Sequence, residues 1–313
     1  MTIAPRVLVA GGIALLLAIA FPWLVARAPF MLTLACYALI AAIVAISLDL
    51  LMGNTPLISF GHAAWYGLGS YTGGLFAKWL SADIVLVLVS CLVIAAIASW
   101  VMGEILVRQV GKTFAILTLA FGQILFALVY VASAYTGGED GLQNIPQPTF
   151  LSLRIESTQT WYWILLALVI VAATAMSLVG RAPLGQTWLA VKENELRARF
   201  IGIDTHRMKL VAYVGSASLA ALAGGLFALF AGATSPDSLG WFESGRILMY
   251  VILGGAGTII GPAIGAVAFT FAEYYVSARS EAWLIYFGGL FVIVVIVAPG
   301  GLYGVLRARK AWR

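Results

Sequence analysis

The sequence predicts an all-α polytopic membrane protein, and three observations carry that prediction. Hydrophobic residues make up 62% of the 313-residue chain. Charged residues make up only 10%, against roughly 25% in a soluble domain. The apolar residues also fall into repeated runs near the ~20 residues a helix needs to cross a bilayer, whose interior leaves backbone polar groups to be satisfied within the chain. No room remains for a separate soluble domain, so residues 1–313 read as one transmembrane domain.

Runs bounded by charge, glycine or proline place about ten spans near 7–26, 31–52, 57–77, 84–107, 113–134, 161–179, 210–232, 246–261, 263–278 and 283–298. The first follows Arg6, and its length and the spans behind it mark an uncleaved helix rather than a signal peptide. Arg108 and Lys112 separate the fourth from the fifth. A long segment, 135–160, separates the fifth from the sixth, and a polar one, 180–209, separates the sixth from the seventh. Between the eighth and ninth, Gly261-Pro262 reads either as a tight turn or as a kink in a re-entrant element, which is tolerated where protein rather than lipid surrounds the freed backbone.

Charge sets the orientation. With the N-terminus cytoplasmic, the inner face collects Arg6, Arg108, Lys112, Arg181, Lys192, Arg197, Arg199, Arg207, Lys209, Arg307, Arg309, Lys310 and Arg313. The outer face keeps Arg27, Lys78, Arg154, Arg246 and Arg279, so the excess of basic residues inside predicts that both termini and the polar island are cytoplasmic. The net charge of +5 is therefore a matter of topology and headgroups, not of nucleic acid. Cys36 and Cys91 both lie inside apolar runs, where a lone thiol behaves as a small hydrophobe, and no metal site is expected.

The island from Gly180 to Lys209 is the one long polar stretch between apolar runs. Within it Thr187 to Ile201 reads as a short amphipathic helix ended by Gly202, lying across the membrane surface on lipid or on a partner. The string AVKENELRARFIGID, Ala190 to Asp204, resembles the cytoplasmic coupling segment of ABC-importer permeases, with Glu195 seven positions before Gly202. It departs from that pattern at Arg197, Arg199 and Phe200, where small residues are more usual.

Three further strings resemble the branched-chain amino acid permease family of ABC importers, in particular its LivM branch. They are SFGHAAWYGLGSYTGG from Ser59, FAILTLAFGQ from Phe114 with TGGEDGL from Thr136, and LGGAGTIIGPAIGA from Leu253. Their order around the coupling segment covers about residues 45 to 300. The resemblance implies a membrane-spanning permease subunit of an ATP-driven importer in the bacterial inner membrane, moving branched-chain or related amino acids or similar small solutes inward. It implies a second permease subunit, two ATP-binding subunits and a periplasmic solute-binding protein as partners. Lys192, Glu193, Asn194, Glu195, Arg197 and Gly202 would then couple to the ATPase, and Glu139 and Asp140, on the outer loop, would be salt-bridge partners for the binding protein. That loop reads equally well as a flexible, solvated connector.

No enzyme chemistry is expected. LVRQVGKT, Leu106 to Thr113, ends like a phosphate-binding loop but has Leu106 where the first glycine belongs, and it joins two spans rather than a strand and a helix. No cofactor is expected in this chain; ATP and magnesium would belong to the partner subunits.

Gly69 and Gly73 are four apart, as are Gly257, Gly261 and Gly265, so each set lines one face if its helix is continuous and lets neighbouring backbones approach. Close, easily shifted packing also suits alternating access. Ser59, His62, Tyr66, Tyr71, Thr118 and Gln123 could line a polar path for a zwitterionic or amide-bearing solute, because polar groups in spans face protein or water. Asp49, Glu104 and Glu273 are either paired structural carboxylates or proton or cation sites. The second case would make the chain an ion-gradient-driven transporter or channel that needs no ATPase.

Overall fold

The computed structural model describes residues 16–25, 27–150, 153–258, 260–297, 300–302 and 304. The helices in chain order are α1 (16–24), α2 (Pro29–Asn54), α3 (His62–Trp79), α4 (Ile84–Leu106), α5 (Gly111–Val131), the single turn α6 (Ser133–Thr136), α7 (Thr158–Arg181), α8 (Pro183–Glu193), α9 (Glu195–Phe200), α10 (Thr205–Ala231), α11 (Trp241–Gly254), α12 (Ile260–Ser277) and α13 (Trp283–Val297). Five of them, α2, α4, α5, α7 and α10, are long and apolar enough to cross a membrane. The chain is a multi-pass membrane protein. The expected first span reaches back to 7 and the basic tail forward to 313; residues 7–15 and 305–313 lie outside the described residues.

Helix α2 is the axis of the bundle. It is apolar on every side, as a helix surrounded by others must be, and α7, α10, α11 and α12 pack around it. Helix α10 packs against α2, α3 and α4, and small residues let it approach. A Cβ at Gly69 of α3 would fall on the Ala221 backbone, and one at Gly224 on the Tyr66 carbonyl. Helices α4, α5 and α7 close the outside and turn faces such as Val93, Ile97, Ile116 and Val171 outward, as surfaces that meet lipid do.

The expected span at 57–77 is not helical from end to end, and the chain between the expected spans at 210–232 and 246–261 re-enters the bundle. Residues 57–61 are not helical; α3 begins only at His62, whose Nε2 meets Ser47 Oγ at 2.7 Å. Ser47 lies seven residues before Asn54, the end of α2, so α3 starts roughly 10 Å up along α2, at about 1.5 Å per residue. On the other side, 232–240 runs back along α3: Ser70 Oγ donates to Thr234 Oγ1 at 2.6 Å, Leu239 abuts Gly67, and Ala63 N donates to Ser244 Oγ at 3.1 Å. The N-termini of α3 and α11 thus meet within the bundle. Pro56, Gly61, Pro236 and Gly240 explain the breaks, and the irregular segments are partly covered by protein, with Leu57, Ser59, Pro236 and Leu239 buried and Ile58, Phe60 and Asp237 exposed.

The break between α11 and α12 also differs from expectation. Gly261 and Pro262 sit in the first turn of α12, where proline is well tolerated. The chain instead turns at Gly255 and Gly257, at φ 106° and 79°, a region that suits glycine. Gly257 is therefore a turn residue and not part of a glycine face. Gly261 and Gly265 do pack as expected: a Cβ at either would strike Gly254 or Tyr250 backbone on α11.

The segment 135–160 is pinned rather than free. Leu142 and Thr234 exchange backbone hydrogen bonds at 2.9 Å, and Ile145 N and Thr149 N donate to Gly232 O and Ala82 O, each at 2.9 Å. It carries a two-residue antiparallel pair, Thr149–Phe150 with Leu153–Arg154, a small departure from an all-helical fold.

Candidate functional site

The polar island folds as two helices, not one. Ala182 is extended and Pro183 opens α8 at its first turn, so the chain leaves α7 sharply. Asn194, at φ −161°, breaks the expected Thr187–Ile201 helix and restarts it, its Oδ1 accepting from Arg197 N at 2.9 Å. Asparagine does this readily because its side chain satisfies an otherwise orphaned amide at a helix start. Gly202 then closes α9 at φ 88°. Gly202 N donates to Arg199 O at 2.9 Å and Ile203 N to Ala198 O at 3.0 Å, the paired bonds of a Schellman end.

This helix pair is wired into the bundle at three points. Trp188, buried on the inner face of α8 with Gly185 and Val191, donates from Nε1 to Met208 O of α10 at 2.8 Å. Lys192 Nζ donates to Gly53 O at 2.6 Å and Met52 O at 3.2 Å, at the end of α2. Burial holds the Lys192 ammonium below its ordinary pKa, although Asp49 nearby works the other way. Asp49 in turn accepts from Gly257 N at 2.5 Å, so the same end of α2 holds the α11–α12 turn.

The third tie is Glu195. One oxygen, Oε1, accepts from Lys209 Nζ at 2.9 Å, Arg199 Nη2 at 2.8 Å and Thr205 Oγ1 at 3.0 Å. Burial would raise the Glu195 carboxyl, but the bonds from Lys209, Thr205 and Arg199 outweigh it and hold the group below the usual carboxylate range. The charged ends of Lys192 and Glu195 are therefore turned to the bundle, although the Lys192 side chain is otherwise exposed. Glu193, Arg197 and Gly202 face out, and Asn194 is spent on the cap. Beside them α9 exposes Leu196 (67%), Phe200 (87%) and Ile201 (75%).

The expected polar path does not form one lining. Ser59, His62 and Thr118 gather at the start of α3, where Thr118 Oγ1 accepts from Phe60 N at 3.1 Å and His62 meets Ser47. Ser59 Oγ, His62 Nδ1, Tyr71 Oη and Gln123 Nε2 are buried with no hydrogen-bond partner among the described residues. Tyr71 and Gln123 stand apart from the cluster, on α3 and α5. Tyr66 alone of the six lines a cavity of about 500 Å³ between α2, α3, α10, α11 and α12. Glu139 and Asp140 are exposed in a short 3-10 turn of the pinned segment 135–160.

The three carboxylates are engaged: Asp49 with Gly257 N, Glu104 with His206 Nε2 at 2.8 Å, and Glu273 with Arg246 Nη2 at 2.9 Å. Sequence reasoning passed over Arg246, which also bonds Glu243 at 2.8 Å. The i, i+3 spacing of those two on one helix was the available signal. Trp188 and Ser47 had none.

A model of the family described as branched-chain amino acid transport system, permease component, matches residues 30–298. The chain is 30% identical to the high-affinity branched-chain amino acid transport system permease protein LivM of Escherichia coli K12, over 94% of this chain and 74% of that protein. It is 26% identical to LivH of the same strain, over 84% of this chain and 91% of that one. The autoinducer 2 import system permease protein LsrC of Klebsiella pneumoniae is 29% identical over 54% of this chain and half of its own length. No solved structure matches.

Proposed function

The chain belongs to the branched-chain amino acid transport permease family, and from that premise we propose how it works as the membrane subunit of an ATP-driven importer. Ten spans cross a bacterial inner membrane, with both termini and the α8–α9 pair in the cytoplasm. A second, related permease completes the path, as the occurrence of LivM and LivH in one transport system suggests. Two ATP-binding subunits, which carry the ATP and magnesium, act from the cytoplasmic side. A periplasmic binding protein delivers a branched-chain or related amino acid to the outer face, where Glu139 and Asp140 offer it carboxylates.

One observation carries this reading: α9 and its end present an apolar tip of Leu196, Phe200 and Ile201, with Glu193, Arg197 and Arg199 beside it in sequence, on a base tied at three points to two bundle helices, α2 and α10. An apolar centre with a charged rim is how a protein interface is built. A base so tied moves with its helices. Closure of the ATPase pair would push on α9, and α8 would pass the push through Lys192 to the end of α2 and through Trp188 to α10. Asp49 would carry it on to the α11–α12 turn, as a rigid-body shift of packed helices.

The test is purification of the tagged chain from native membranes in mild detergent, followed by uptake in proteoliposomes. The expected result is recovery of an ATP-binding subunit and a second permease, with uptake that requires ATP and the binding protein. Uptake by the chain alone, driven by an ion gradient and indifferent to ATP, would overturn the reading.

A further inference from the structure

The hairpin inside segment 135–160 leaves large apolar side chains in the open. Leu142, Ile145 and Ile155 of the same segment are buried, whereas Phe150 is 47% exposed and Leu153 73%. Phe150 and Leu153 stand opposite each other in the antiparallel pair, so their side chains share one face of it. Thr149 and Arg154, the next pair, fall on the other face. Thr149 is half-buried, and its N donates to Ala82 O at 2.9 Å. Ile155 N closes the base by donating to Pro148 O at 3.0 Å. The hairpin is thus held by its backbone and its base while the apolar pair projects.

Position decides what covers that pair. Ala82 and Asp83 lead directly into α4, and Asp83 caps it, its Oδ1 accepting from Val85 N at 3.0 Å and Leu86 N at 3.4 Å. Helix α4 has 23 residues, a length of roughly 34 Å at about 1.5 Å per residue. That is little more than the ~30 Å hydrocarbon core of a bilayer. Its first turn therefore lies at the bilayer boundary, and a hairpin bonded to Ala82 lies there too. From that turn onward α4 presents Val85, Leu86 and Val89 outward.

The neighbours of this junction have the composition of a membrane boundary. Trp79 and Leu80, at the end of α3, are exposed, and the Trp79 ring meets exposed Tyr135 edge-on with centroids 5.7 Å apart. Tryptophan and tyrosine collect at this depth because each has an apolar body and a polar edge. Lys78 and Arg154 are exposed beside Trp79 and Leu153, where basic groups on long stems reach lipid phosphates.

We propose that the hairpin is a membrane anchor. Phe150 and Leu153 enter the boundary between headgroups and acyl chains beside the start of α4, and Lys78 and Arg154 meet the phosphates. The partner is the lipid surface itself, continuous with the outward side of α4. Segment 135–160 is then fixed to the bilayer as well as to the bundle, and carries Glu139 and Asp140 at a set height. The anchor does not depend on how transport is driven.

The test is site-directed spin labelling of the permease assembly in nanodiscs of phosphatidylethanolamine and phosphatidylglycerol, without a binding protein. Native Cys36 and Cys91 are buried, so a water-borne thiol reagent labels an introduced cysteine first. Phe150→Cys and Leu153→Cys are compared with Val85→Cys, on the outward face of α4, and with Glu139→Cys, exposed on the same segment. Collision of the label with oxygen, which concentrates in lipid, is measured against collision with a water-soluble nickel chelate. The oxygen-to-nickel ratio at 150 and 153 should approach that at 85 and exceed that at 139. A ratio at either position as low as at 139 would show a hairpin standing in water and overturn the anchor. Exclusion of both reagents at either position would show that protein, such as a second permease, covers the pair, and would overturn it equally.

Discussion

Glu195→Ala should loosen the junction between α9 and α10 far more than it alters the exposed surface. Lys209, its partner, is 3% exposed in its side chain and Glu195 21%. Removing one member of a buried ion pair costs roughly 3–5 kcal/mol, because the other charge stays in a poor solvent. The partial exposure of Glu195 lets water reach the vacated space and brings the figure down to about 2 kcal/mol. At 1.4 kcal/mol per decade, amide hydrogen exchange across Arg197–Lys209 should then quicken about 30-fold. Exchange in the middle of α2 should be unchanged.

Adding Lys209→Met should return most of the protection, since an apolar replacement of both partners leaves no buried charge unmet. The same pair dictates a pH response. The folded Glu195 carboxyl titrates below its ordinary value, so its contribution is complete above that value, about 4.3, and is lost as pH falls through the lowered one. Glu195→Gln should remove that part of the acid dependence. Unchanged exchange in Glu195→Ala, or equal exchange in the single and double variants, would refute the reasoning.

Lys192→Met keeps the aliphatic stem and severs the bonds to Gly53 O and Met52 O. Two partly exposed charge-assisted bonds amount to about 1–2 kcal/mol, so stimulation of ATP hydrolysis by loaded binding protein should fall about tenfold while the assembly still purifies intact. Gly202→Val places a β-branched residue at φ 88° with no side-chain clash; the strain of about 1–2 kcal/mol should speed proteolysis near residues 200–204 and reduce uptake without lowering the amount of folded protein. Gly224→Ala drives a methyl into the Tyr66 carbonyl, with Ser70 N at 2.8 Å. It should destabilise by about 1–3 kcal/mol in thermal unfolding, whereas Gly180→Ala, with nothing near its Cβ, should not.

Much of this molecule is legible in one dimension. Apolar runs of bilayer length mark the long helices because each must satisfy its own backbone in lipid, and α4, α5 and α7 lie close to where those runs put them. The glycine spacing at Gly69 and Gly73 finds the α3–α10 contact, because only a missing side chain lets backbones come so near. The string around Glu195 and Gly202 marks the surface helix and its end. The left-handed turn there needs a residue without a Cβ.

What the sequence could not give is direction and partnership. Lys192 and Glu195 read as surface charges like their neighbours, yet their charged ends bond to the bundle, because α2 ends in unpaired carbonyls beneath α8 and a buried Lys209 waits beneath α9. The breaks at 57–61 and 232–240 look like the ends of spans, and only their pairing along α2 and α3 shows two helices that start within the bundle. Arg246 and Glu273 are 27 residues apart and join only because α11 and α12 pack antiparallel about a glycine turn. Local chemistry decides where a chain turns helical, apolar or left-handed. Which charges meet is decided by how the helices pack, a sum over contacts distant in sequence that no local pattern records.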